Sequence, residues 1–183
     1  MSEEEQADAL AYIETQGKWL ERLVQKMLKL LTTNQEIVLK QISVPELLDR
    51  VNGSVSEALL SRGISLEIQC DIPFLKADSD LLQSALVNLV ENAGKASAPG
   101  QVVSLRAYDH ILEVRDHGIG IPKESLNRIT DAFYMVDKSR SKQMGGVGLG
   151  LALVKEIVQA HGATMEIESK LGTGTTVRIY FPR

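Results

Sequence analysis

Between residues 81 and 97 the chain repeats apolar side chains every three or four positions: Leu82, Ala85, Leu86, Leu89, Val90 and Ala93. That spacing predicts a helix with one face in a core. Asp78 stands where it can cap the start. Asn88, Asn92 and Lys95 fall on one adjoining strip, because residues three and four apart stack on a helix surface. Read alone, the strip has the pattern of a solvated face. Its chemistry also allows a site: amide oxygens suit Mg²⁺ and an ammonium suits a phosphate.

The same patterning divides the rest of the chain. Near the amino terminus Ile13, Leu20 and Met27 recur every seven residues, with Leu23 and Leu30 on a second line and Leu10, Val24 and Leu31 beside them. Ser2 and three glutamates open this segment, as suits a helix start. It predicts a helix running to about residue 31, roughly 45 Å long at 1.5 Å per residue. Heptads over that length favour a partner helix, in a dimer or a bundle, over a helix packed only on its own domain. Gln16 and Gly17 interrupt the line. The expected organisation is a helical segment over 1–33 and one α+β domain over 34–183.

Within that domain residues 36–42 alternate and predict a strand. Ser43-Val44-Pro45 starts a helix bearing Leu47, Leu48, Val51, Val55, Leu59 and Leu60, which stops at Gly63. Strands are predicted at 64–70 and 74–77, and Ala98-Pro99-Gly100 ends the central helix. A hairpin spans 102–107 and 111–116. A short helix over 122–129 and a long polar stretch follow. A helix over 150–161 and strands over 165–169 and 175–181 close the chain.

Composition narrows the function classes. A formal charge of −4 argues against nucleic acid as a partner. The single cysteine, Cys70, excludes an internal disulfide and a cysteine-based zinc site. His110, His117 and His161 lack metal-ligand spacing. No apolar run approaches the ~20 residues of a membrane span, and the acidic amino terminus does not read as a signal peptide. The segment is cytosolic in character; a span in a longer parent chain stays open.

Two glycine clusters carry the chemistry. Asp116-His117-Gly118-Ile119-Gly120-Ile121-Pro122 follows a strand directly, so the Asp116 carboxylate can face a cleft. It could accept a hydrogen bond from an exocyclic amine such as that of adenine. The glycines permit close approach of a ligand, although a strand-to-helix turn would need them too. Gly145-Gly146-Val147-Gly148-Leu149-Gly150-Leu151 opens a helix, where exposed amide N–H groups suit anions. It is not a P-loop, because no Gly-Lys-Ser/Thr follows. The charged stretch before it, residues 137–144, reads as a lid. Its Lys138, Arg140 and Lys142 could reach a phosphate or simply be solvated. Gly172-Thr173-Gly174-Thr175 is a third cluster.

In this order the parts resemble a known family. Asn88-x-x-x-Asn92-Ala93-x-Lys95, Asp116-x-Gly118-x-Gly120-Ile121-Pro122, Ala132-Phe133-Tyr134, Gly146-x-Gly148-Leu149-Gly150-Leu151 and Gly172-x-Gly174-Thr175 resemble the N, G1, F, G2 and G3 boxes of sensor histidine kinases. Those belong with gyrase, Hsp90 and MutL to one ATP-binding superfamily. The resemblance covers about 45–183, and residues before 33 resemble the second helix of a dimerisation and histidine-phosphotransfer hairpin. It implies a Bergerat-type two-layer α/β sandwich, with a mixed five-stranded sheet and about three helices on one face. It implies ATP and Mg²⁺ as cofactors. Asn92 would hold the metal, and Asn88 and Lys95 would support the phosphates. Asp116 would bind the adenine amine, in a pocket shaped by Gly118, Gly120 and Ile121. Phe133 and Tyr134 would anchor the lid, which carries Arg140 and Lys142. Gly146, Gly148, Leu149 and Gly150 would hold the triphosphate through backbone amides, and Thr175 would bond near the adenine end.

The resemblance further implies transfer of the γ-phosphoryl to a histidine on a dimerisation helix, and from there to a response-regulator aspartate. The parent would be a homodimer, membrane-anchored, with this part in the cytoplasm. Two positions depart from the pattern: Ala96 stands where an aromatic residue is frequent, and His117 where Asn is. No segment with the acceptor histidine is present, so the chain reads as an excised fragment, expected not to phosphorylate itself. Two other readings compete. An ATP-hydrolysing module of the gyrase or MutL type would carry a glutamate four residues before Asn92, where this chain has Asn88. A non-catalytic nucleotide-binding module would use the fold for docking, and whether the chain binds Mg-ATP is its discriminator.

Overall fold

A computed structural model describes Val24, residues 37–136 and residues 148–182. The heptad segment, apart from the helical Val24, lies outside the described residues, as do Arg140, Lys142 and Gly146.

The first strand, β1, covers Lys40–Ser43, shorter and later than the alternation suggested. Val38 is exposed, so its apolar side chain marks no buried face. Ser43 then caps α1 (Val44–Leu60): its Oγ accepts from the Glu46 backbone N–H, and a proline sits in the first turn. Val44, Leu47, Leu48, Val51, Val55 and Leu59 form the buried stripe. Leu60, expected in that stripe, is exposed instead, one helical step past Leu59 and off the core face. The helix closes where Ile64 N–H reaches back to the Leu59 carbonyl and Gly63 takes a positive φ.

After β2 (Ser65–Cys70) and β3 (Phe74–Ala77), Asp78 caps α2 (Ser79–Ala96) by accepting from the N–H groups of Asp80 and Leu81. All six apolar residues that set the period are buried. Gly94 lies against Leu59, where a Cβ would overlap the leucine side chain, so α1 and α2 approach closely. Then come β4 (Val102–Tyr108), β5 (Ile111–Arg115), a 3₁₀ turn at Lys123–Ser125 in place of the expected short helix, α3 (Gly150–Ala160), β6 (Thr164–Lys170) and β7 (Gly174–Tyr180).

Five strands form one mixed sheet in the order β2-β4-β5-β7-β6, with β2 parallel to β4 and the other pairs antiparallel. β1 and β3 pair separately, antiparallel. Alternation sorts the two faces of the large sheet. Val103, Leu105, Ala107, Leu112, Val114, Val177 and Ile179 share one core with the buried sides of α1, α2 and α3. The opposite face carries cross-strand polar pairs, such as Arg178 Nε to Glu113 at 2.6 Å and Tyr180 to Glu166 at 2.7 Å. This is the expected two-layer sandwich of three helices on a mixed five-stranded sheet.

Candidate nucleotide site

The site forms where α2 ends, β5 stops and α3 begins. Asp116 follows the last residue of β5 and is buried. Its Oδ1 accepts two backbone N–H groups, from Gly118 at 2.9 Å and from Thr175 at 3.2 Å. Among the described residues no donor engages Oδ2. Desolvation by burial pushes the Asp116 carboxyl above its ordinary value, although the two backbone donors and neighbouring His117 oppose the shift. A buried carboxylate with one oxygen consumed and one spare is a directional acceptor for a neutral N–H donor.

The turn beyond Asp116 is stitched in from both sides. Ile119 N–H bonds the Ala96 carbonyl at the end of α2. Gly172 N–H bonds the Ile119 carbonyl, and Ile121 N–H bonds Ser169 Oγ at 2.8 Å. Ser169 also meets Thr175 Oγ1 at 2.9 Å. A Cβ on Gly118 would overlap the Ala96 carbonyl, and one on Gly120 the Lys170 carbonyl. The absence of side chains there is therefore a packing requirement as well as an opening for a ligand. Ser169 and Gln101 escaped the sequence reading. Gln101 donates to the His117 carbonyl and accepts from Ala98 N–H, bracing the turn. A polar side chain in a strand or loop carries no sequence signal for such a role.

On the other side, α3 starts at Gly150 with no side-chain cap. Its first N–H groups have no intrahelical acceptor. A Cβ on Gly150 would stand 3.2 Å from Asn88 Oδ1 and 3.5 Å from Asn92 Nδ2. The uncapped helix start thus faces the amide strip of α2 directly. Asn88 is buried and donates to the Ser84 carbonyl at 2.7 Å. Asn92 is half-buried, and its carboxamide has no partner among the described residues. Lys95 lies one turn on, 3.7 Å from Glu91, a loose surface pair that leaves its ammonium available. Leu149 has its side chain in the core, so only its backbone can serve a ligand.

Phe133 and Gly148, which flank residues 137–147, are joined: Phe133 N–H bonds the Gly148 carbonyl at 2.8 Å. Both have positive φ, which is rare for an aromatic residue. Tyr134 bonds Ser125 through its hydroxyl, and Arg128 lies over its ring at 4.5 Å. Phe133 itself is exposed.

The structure therefore gathers Asn88, Asn92, Gly148 and Gly150 on one side, and Asp116, Gly118, Gly120, Ile121 and Thr175 on the other. An acceptor beside the end of α2 and anion-suited groups along its second half are the parts of a nucleotide-binding domain. Comparison with known proteins gives the family. Residues 77–183 match the model of the histidine kinase-, DNA gyrase B-, and HSP90-like ATPases, and the chain belongs to that family. It is 30% identical to the sensor protein SrrB of Staphylococcus aureus, over 96% of this chain and 32% of that protein. Among solved structures it is similar to the mycobacterial sensor histidine kinase MprB, at 28% identity and a TM-score of 0.67, covering 78% of this chain and 95% of that one. It is also similar to full-length ShkA in complex with AMPPNP, at 26% identity and a TM-score of 0.78, covering 96% of this chain and 38% of that one. The chain spans about a third of the length of the curated relatives it matches.

Proposed function

We propose that this chain is the ATP-binding catalytic part of a sensor histidine kinase. In this reading the adenine amine donates to Asp116 Oδ2, and the phosphates lie beside the start of α3 and the strip of Asn88, Asn92 and Lys95. The observation that carries the reading is the division of labour at Asp116: one oxygen is held by two backbone donors and the other is left for a ligand. The complex of ShkA with AMPPNP adds support.

A divalent metal fits the phosphate side on chemical grounds. Asn92 offers a hard amide oxygen beside an uncapped helix start. Among the described residues no three His, Cys, Asp or Glu side chains gather as a metal cluster. Mg²⁺ commonly takes few protein ligands and completes its shell with phosphate oxygens and water. Bound there, it would neutralise charge on the phosphates. The chain's own part is positioning. Asn92 would hold the metal, the α3 N–H groups and Lys95 would hold phosphate charge, and Asp116 would fix the base, so that the terminal phosphoryl is presented in one direction.

The acceptor is a histidine on a dimerisation helix of the parent kinase, with a response-regulator aspartate as the final partner. Residues 1–33 are the second helix of that hairpin and 34–183 the catalytic domain. The parent is a membrane-anchored homodimer with this part in the cytoplasm. Among the described residues no helix is long and apolar enough to cross a membrane. A hydrolase reading finds no support: Asn88 stands where its base would be and is bonded to its own helix, while Glu91 pairs with Lys95.

The test is calorimetric titration with ADP, with and without Mg²⁺. Asn92→Leu removes the amide oxygen and keeps the shape. Its Mg²⁺ enhancement of ADP affinity is expected to fall about tenfold, as for loss of other metal-site groups, while metal-free affinity changes little. An undiminished enhancement would sink the metal assignment. A native chain that binds no ADP would sink the whole reading.

A further inference from the structure

We propose that His161 is a positioning residue for the phosphate end of this site, acting as a neutral imidazole that carries its proton on Nδ1. The proposal rests on the nucleotide-site reading above.

His161 immediately follows α3 and is 3% exposed. Its Nδ1 lies 2.7 Å from the Ile157 carbonyl. A carbonyl only accepts, so Nδ1 holds the proton. Its Nε2 lies 3.0 Å from the backbone N–H of Asp78. An N–H only donates, so Nε2 is bare. Both ring positions are thus satisfied by one tautomer alone. The ring also meets Phe181 edge to face, with centroids 6.2 Å apart.

Asp78 is the residue that caps α2, so His161 ties the end of α3 to the start of α2. At the opposite end of α3, Gly150 faces Asn88 and Asn92 in the second half of α2. The two helices therefore run antiparallel, tied at one end by His161 and in contact at the other, where the start of α3 meets Asn88 and Asn92 beside the proposed phosphate site. Gly150 and His161 are about 16 Å apart along the helix at 1.5 Å per residue. A rigid ring bonded at both ends sets the axial register of the pair. A slip of a fraction of an ångström there moves the α3 N–H groups relative to Asn92. The Asp116 end belongs to the sheet and to the turn at Ala96, and does not depend on this clamp.

The experiment has two independent arms. In the native domain, two-bond ¹H–¹⁵N correlation should show His161 with a protonated Nδ1 and a bare Nε2 at neutral pH. The reverse tautomer, or a doubly protonated ring, would overturn the proposal. In the second arm His161→Phe and His161→Asn are titrated with Mg-ADP and with adenosine, beside Leu48→Ala, a core deletion in α1. Phe keeps the ring packing and loses both bonds; Asn can restore only one of them. The expected result for His161→Phe is ADP affinity about tenfold weaker, a loss the size of one buried hydrogen bond. Adenosine affinity and the Leu48→Ala control should stay near native. Should His161→Phe fail to fold, His161→Asn is read the same way. ADP affinity equal to native, or equal losses for ADP and adenosine, would show that His161 has no role at the phosphate end. A native chain that binds neither ligand refutes the nucleotide-site reading instead, and the tautomer is still read.

Discussion

Replacing Asp116 with Asn is expected to weaken ADP binding roughly a hundredfold and to leave the domain folded. The carboxamide can keep its oxygen toward Gly118 and Thr175, preserving both backbone bonds. Its NH₂ then occupies the place of Oδ2 and points a donor at the donor amine of adenine. Two unpaired donors in a dry pocket cost a few kcal/mol, and sites built around a hydrogen bond reject its loss by factors of this order or more. Guanine offers a carbonyl oxygen at the corresponding position, so GDP should gain on ADP. Calorimetric titration with both nucleotides measures the ratio, and an unchanged ADP-to-GDP preference would remove Asp116 from base recognition.

The protonation of Asp116 makes a linked forecast. Burial raises its carboxyl above 3.8, so protonation begins at higher pH than for a free aspartate. A protonated carboxyl resembles the Asn variant, with a donor where an acceptor is needed. ADP affinity of the native chain should therefore fall as pH drops through that raised value, a limb absent from Asp116→Asn. Stability runs the other way. The folded state holds this proton more tightly than the unfolded state, so the burial penalty is absent at low pH. It sets in as pH rises from the unfolded value through the folded one. At neutral pH the Asn variant should be no less stable than the native chain by thermal melting.

Gly118→Ala is expected to lower stability by about 1–3 kcal/mol, a melting-point drop on the order of 5–10 °C. A Cβ there would overlap the Ala96 carbonyl, which is backbone at the end of α2 and cannot swing aside. Either the turn lifts or the helix end frays, and the bond from Ile119 N–H to that carbonyl is lost in both cases. Gly53→Ala supplies the contrast. Gly53 is exposed within α1, and a Cβ there meets nothing within 4 Å. Alanine should stabilise that helix by about 1 kcal/mol. Equal melting of Gly118→Ala and native protein would show that the turn does not depend on this close approach.

Much of α2 was legible from spacing alone. Its apolar period, its Asp78 cap and the strip holding Asn88 and Asn92 are relations within one element, set by 3.6 residues per turn. The β4–β5 hairpin and the stop near Gly63 were legible from other short-range signals, strand alternation and a terminal glycine. Where local signals overreached, the third dimension intervened. Leu60 is apolar but stands about 100° past Leu59 around the helix and turns to solvent, and the first strand pairs only where β3 offers it an edge.

The sequence by itself determined which segments become helices and strands, and which residue types stand at the ends of those segments: a carboxylate after a strand, glycines before a helix, amides along a helix face. Those are consequences of dihedral preference and side-chain period, which act over a few residues. Only the tertiary structure decided that Thr175 donates to Asp116 across 59 positions, that Gly150 confronts Asn88 and Asn92, and that His161 bonds Asp78 across 83. Strand order made the first of these by seating β7 beside β5, and helix packing made the other two. Such contacts follow from burying one shared core under three helices, a condition imposed on the chain as a whole and written in no single stretch of it.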